Sequence, residues 1–125
     1  MAAARKPTAA TGLAAEDLAC RHLEQRGLIT VARNYRTRYG ELDLVMREGE
    51  TLVFVEVRYR QGDEFGDGVD SIDRRKQGKL TRTANAYLQS HYPNRPPPCR
   101  IDVISVSADL DDPSIEWLQN ALPGF

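Results

Sequence analysis

Two strand-like runs, residues 41–47 and 51–60, stand so close together that the Glu48-Gly49-Glu50 stretch between them can only be a tight hairpin. The second run is unusual in its two faces. Val53, Val55 and Val57 make one side apolar throughout. The other side begins with Leu52 and Phe54 and then turns to Glu56, Arg58 and Arg60. A strand apolar on one side and charged midway along the other requires a reason.

The hairpin supplies a candidate. Side chains alternate along a strand, so Glu41 and Asp43 share a face, as do Glu56 and Arg58. A two-residue loop at Gly49-Glu50 pairs Glu48 with Thr51, sets Asp43 opposite Glu56 and sets Glu41 opposite Arg58. A four-residue loop keeps that register, whereas a three-residue loop moves Asp43 off the Glu56 face. Opposed Cβ atoms lie about 5 Å apart. Two carboxylates there repel by about 3 kcal/mol at an effective dielectric near 20. Three resolutions exist: one acid is protonated, Arg58 neutralises the pair, or a divalent cation sits between them. Mg²⁺, which prefers carboxylate oxygens and accepts phosphate, suits the third. A Glu41–Arg58 ion pair on a wet sheet face, worth about 0.2–1 kcal/mol, is the plain alternative.

The surrounding chain reads as one α/β domain. Its 125 residues are too few for two good cores, and 41% hydrophobic with 28% charged residues is the balance of a globular protein. Residues 1–10, Ala-rich and polar, are expected to be a disordered tail, with the domain spanning 11–125. A helical period runs over 11–26 through Ala15, Leu18, Ala19, His22 and Leu23, and Gly27 stops it. A short strand follows at 28–31, then a polar, basic connection at 33–39. After the hairpin come a mobile Gly-rich loop at 61–68 and a second helix at 72–90. That helix carries Ile72, Lys76, Leu80, Thr83, Ala84, Tyr87 and Leu88 along one side. An extended proline break at 94–99 leads to a strand at 100–106 and a last one at 115–118. The order predicts a mixed sheet with helices packed on it.

Charge and cysteine content narrow the classes. Net charge is −1, so bulk charge does not announce a nucleic-acid partner. Basic residues nonetheless crowd the middle of the chain together with its clustered acids, and no Lys or Arg follows Asp102. Cys20 and Cys99 lack metal-ligand spacing and read as reduced thiols. No stretch is apolar for long enough to span a membrane and no signal-like segment opens the chain, so the expected location is cytoplasmic. His22, His91 and Trp117 read as structural or surface residues.

The motifs resemble a known family. Gly40-Glu41-Leu42-Asp43-Leu44-Val45 followed by Val53-Phe54-Val55-Glu56-Val57-Arg58 resembles the signature of the YraN family, bacterial proteins of the PD-(D/E)XK restriction-endonuclease-like superfamily. Glu16 with Ala19 and Leu23, Asn34, Phe65-Gly66, Lys76 with Lys79-Leu80, and Arg100-Ile101-Asp102-Val103 extend the resemblance over roughly residues 12–106. It implies a mixed sheet flanked by helices, with Asp43 and Glu56 as ligands of Mg²⁺ or Mn²⁺. Glu16 is implied as an additional acidic position, and Glu41 as an outer ligand or the partner of Arg58. The implied activity is hydrolysis of DNA, branched or structured DNA included. A nucleic-acid-binding module without turnover is the alternative, no membrane partner is expected, and homodimerisation stays open. The superfamily pattern has lysine where this chain has Arg58, which is always charged and a poor general base. Arg36, Arg38, Arg75, Lys76 and Lys79, with Arg33, Arg74 and Arg82 nearby, are the candidate phosphate contacts.

Overall fold

The structure, a computed structural model, describes residues 9–60, 73–107, 111–122 and 125. Its elements are α1 (Ala9–Gln25), β1 (Ile29–Thr37), β2 (Gly40–Glu48), β3 (Thr51–Tyr59), α2 (Arg74–His91), β4 (Cys99–Val106) and β5 (Ile115–Leu118). The five strands form one sheet in sequence order. β1, β2 and β3 are a meander, α2 crosses from β3 to the parallel β4, and β5 returns antiparallel. The α/β architecture is the restriction-endonuclease-like arrangement expected from the motifs. No described helix is long and apolar enough to cross a membrane.

Local chemistry fixes the ends of the helices. Gly27, at φ +95°, closes α1: its N–H donates to the Glu24 carbonyl, and the Leu28 N–H reaches the Leu23 carbonyl. These two bonds are the Schellman pattern, and the buried Leu23 and Leu28 supply its hydrophobic contact. At the start of α2, the Asp73 carboxylate accepts the Lys76 N–H at 2.8 Å, a standard N-cap.

The helices cover opposite faces of the sheet. Ala15, Ala19 and Leu23 of α1 pack on Leu44, Met46, Val53, Val55, Ile104 and Val106. On the other face, Leu80, Ala84 and Tyr87 of α2 pack on Leu42, Val45, Leu52, Phe54, Ile101 and Val103. Full burial of a side chain such as Phe54 stabilises by about 1.5–3 kcal/mol, so β3, buried on both faces, anchors the fold. Its division into a valine face and a Leu-Phe face is as the sequence predicts.

The first strand departs from expectation. The stretch read as a polar connection, 33–39, is strand as far as Thr37, so β1 is nine residues long. An edge strand needs only partial cover, and Arg33 obtains it by pairing with Asp17 of α1 at 2.8 Å. Ala9 and Ala10 already belong to α1, which shortens the expected tail; residues 1–8 lie outside the described residues. So does the 61–68 loop, together with Ile72.

Candidate functional site

The hairpin register is the expected one. Glu48 faces Thr51 around a two-residue loop, and pairing continues to Leu44 opposite Val55. Gly49, at φ +60°, is the one loop residue in the left-handed region, the pattern of a type II′ turn.

Beyond Leu44 the ladder between β2 and β3 stops. In the opening, the Val57 N–H donates at 2.8 Å to Oδ2 of Asp43 rather than to a backbone carbonyl. Asp43 also lies close enough to Glu56 for the two carboxyls to act on each other directly. Burial first, and the Glu56 charge second, push the Asp43 carboxyl up from 3.8 to about 8. Asp43 and Glu56 are therefore adjacent as expected, and burial together with the Glu56 charge favours the first of the three resolutions, a retained proton.

A backbone switch creates this opening. Leu42 packs under α2 whereas Leu44 packs under α1, so alternation breaks at Asp43. The break is matched on β1, where Arg33 reaches α1 while Tyr35 stacks edge-on with Tyr87 of α2. Asn34 stands between them at φ +54°, a conformation that asparagine tolerates better than most residues. Its side-chain amide donates to Glu16 at 3.0 Å. Glu16, with Arg33 at 3.6 Å, lies near enough to Asp43 to raise its pKa further. The third expected acid therefore borders the pair, held by Asn34.

The break also corrects the placement of Glu41. The alternation that put Glu41 and Asp43 on one face does not carry through Asp43, and the ladder does not extend to Glu41 and Arg58. Glu41 instead pairs with Arg36, its neighbour across β1, at 3.1 Å. Arg58 lies two residues beyond Glu56, in register with Ser105 of β4.

The cation that meets the acid pair comes from the second helix. Lys76 Nζ lies 2.7 Å from Oε2 of Glu56, whose side chain is only 7% exposed. The sequence assigned Lys76 to a phosphate-binding surface; its half-exposed side chain reaches Glu56. The signal was its place on the apolar stripe of α2, one turn before Leu80. Of the other expected phosphate contacts, Arg75 and Lys79 are exposed on α2, and Arg36 is largely exposed. Arg38 lies over the Tyr39 ring, 5.0 Å from its centroid.

Among the described residues, no three His, Cys, Asp or Glu side chains converge as a ready metal cage. Two adjoining carboxyls form the kind of donor set Mg²⁺ accepts, because that ion usually keeps waters and substrate phosphates in its shell. Asp43 and Glu56 fit a divalent ion on that chemistry.

Comparison with known proteins gives one consistent result. The model of "Uncharacterised protein family UPF0102" matches residues 15–106. A UPF0102 protein of Nitrosococcus oceani is 46% identical over 110 residues, covering 88% of this chain and 89% of its own. One from Stutzerimonas stutzeri is 45% identical over 111 residues, with 89% and 92% covered. One from Pseudomonas entomophila is 49% identical over 112 residues, with 88% and 90% covered. The matched span contains Glu16, Asn34, Asp43, Glu56 and Lys76.

Proposed function

Since the chain belongs to the UPF0102 family, which is the YraN family, we propose that it is a metal-dependent phosphodiesterase acting on DNA. The observation that carries this reading is the Asp43–Glu56 pair, two adjoining carboxyls held in a strand opening by a backbone N–H and by Lys76. Placing two carboxyls together in a buried site costs stability, and a site for Mg²⁺ or Mn²⁺ gives that cost a purpose.

Asp43 and Glu56 would hold the ion, and Glu16 would add negative potential from the α1 side. A divalent ion bound there supplies polarisation of the scissile phosphate and a water of lowered pKa. Lys76 provides an ammonium beside Glu56, in the role the superfamily gives to a lysine at position 58. Arg58 can hold a phosphate oxygen pair through its planar fork. Arg75 and Lys79 extend a cationic surface along α2 for the flanking backbone.

The test is cleavage of linear, single-stranded, flapped and four-way-junction DNA with Mg²⁺ and with Mn²⁺. Asp43→Asn and Glu56→Gln are expected to abolish cleavage, and Arg58→Lys to retain or raise it. Cleavage unchanged in Asp43→Asn would contradict the reading and point to a contaminant.

The arginine at position 58 favours one second reading, a nucleic-acid-binding module that keeps the fold without turnover. It predicts salt-sensitive DNA binding and no cleavage with either metal. Replacing Arg75 and Lys79 together would then lower the log–log salt slope by about two.

A further inference from the structure

The outer side of α2 carries a groove apart from the acid pair. It encloses about 500 Å³ and is lined by Tyr39 from the β1–β2 turn, by Arg82, Asn85 and Gln89 of α2, and by Tyr92 and Pro96 beyond the helix. Among the described residues, no acid lines it. Tyr92 is 37% exposed, and its backbone N–H caps α2 by donating to the Leu88 carbonyl at 2.7 Å. Arg38, stacked on Tyr39, also donates to its hydroxyl at 2.8 Å. Arg38 thus holds the Tyr39 ring, and the helix cap fixes the backbone that carries Tyr92.

We propose that this groove binds an unpaired nucleotide segment, with bases stacked on Tyr39 and Tyr92 and the phosphates facing Arg38 and Arg82. The proposal rests on the nucleic-acid reading above and adds the substrate class: DNA with a single-stranded arm. Charge complementarity selects the occupant, since a polyanion meets arginines and, among the described residues, no carboxylate. The chemistry of the lining agrees. Aromatic faces in a cationic groove are how proteins take single strands of any sequence, and the amides of Asn85 and Gln89 can pair with base edges. A duplex keeps its base faces stacked internally and offers nothing to the two rings.

The spacing ties the groove to the acid pair. From Lys76, at Glu56, to Arg82, in the groove, is six residues of helix, or about 9 Å of rise. That is roughly three nucleotides at 3.4 Å per stacked step. An arm leaving the acid pair along α2 therefore enters the groove within a few nucleotides.

The test is fluorescence anisotropy of the full chain in EDTA, with a labelled oligothymidylate and a blunt duplex of the same length. Tyr39→Ala and Tyr92→Ala are each expected to weaken oligothymidylate binding about tenfold. The Phe replacements should stay within about twofold, and duplex binding should be unmoved. Photocrosslinking of a 5-iodouridine oligonucleotide to the wild-type chain should map to Tyr39 or Tyr92, which needs no variant to fold. Folded alanine variants that bind as wild type does, crosslinks elsewhere, or a wild type that prefers duplex would overturn the groove. Because no metal is present, the two readings fail separately. Tyrosine-dependent binding without metal-dependent cleavage overturns only the hydrolase, and metal-dependent cleavage with indifferent tyrosines overturns only the groove.

Discussion

Lys76 Nζ of α2 lies 2.7 Å from Oε2 of Glu56 on β3, so a helix supplies a cation to the buried acid pair. Glu56 is almost fully buried, whereas half of the Lys76 side chain remains in water. Removing one partner of a fully buried pair costs about 3–5 kcal/mol. Here water can partly replace the ammonium, which reduces the expected cost. Lys76→Met is therefore expected to destabilise the metal-free chain by about 1–2 kcal/mol, read as a lower melting temperature. A melting temperature unchanged in EDTA would show that Lys76 does not stabilise Glu56.

A second buried carboxylate has a structural role. Asp102 is fully buried and accepts from Arg100 Nε at 3.0 Å, Trp117 Nε1 at 2.9 Å and the Asn120 N–H at 2.8 Å. It ties β5 and the turn after it to the central strands. Asp102→Ala leaves all three donors unmatched and is expected to cost about 3 kcal/mol or more. Trp117, the one tryptophan of the chain, reports it: its emission should shift to the red. An unshifted spectrum with an unchanged melting temperature would contradict this role.

The protonation of Asp43 predicts the pH dependence of the metal-free fold. The folded chain holds, up to about pH 8, a proton that the unfolded chain releases near the ordinary carboxylate value of 3.8. The stability this proton contributes is full below the unfolded value and is lost as pH rises through the folded one. The slope for one proton is at most about 1.4 kcal/mol per pH unit. In EDTA, the wild type should therefore lose melting temperature relative to Asp43→Asn between about pH 5 and 8. A constant difference across that series would place the proton elsewhere. Metal binding must displace the same proton, so metal affinity should rise over the same window.

The hairpin register, the two-faced β3 and the adjacency of Asp43 to Glu56 were legible because period-two alternation and a two-residue turn leave little freedom. What escaped was set by contacts across elements. Nothing local announces that Asn34 adopts a left-handed conformation, and that residue turns β1 while Asp43 turns β2. Straight alternation therefore misassigned Glu41, which pairs with Arg36. The polar β1 read as a connection because its cover, Asp17 against Arg33, comes from a helix earlier in the chain. Lys76 was visible on the apolar stripe of α2, but its target lies twenty residues away on β3.

The most direct test of the metal site needs no substrate. Asparagine at position 43 can still accept the Val57 N–H, and it replaces a carboxyl whose ionisation burial and the Glu56 charge oppose. In EDTA, Asp43→Asn should therefore melt at or above the wild-type temperature. Mn²⁺ or Mg²⁺ at a hundredfold excess over Kd should stabilise the wild type by about 2.7 kcal/mol, several degrees for a domain of this size. Asp43→Asn should lose most of that gain. A variant clearly less stable than wild type in EDTA, together with a wild type indifferent to both metals, would contradict the metal site.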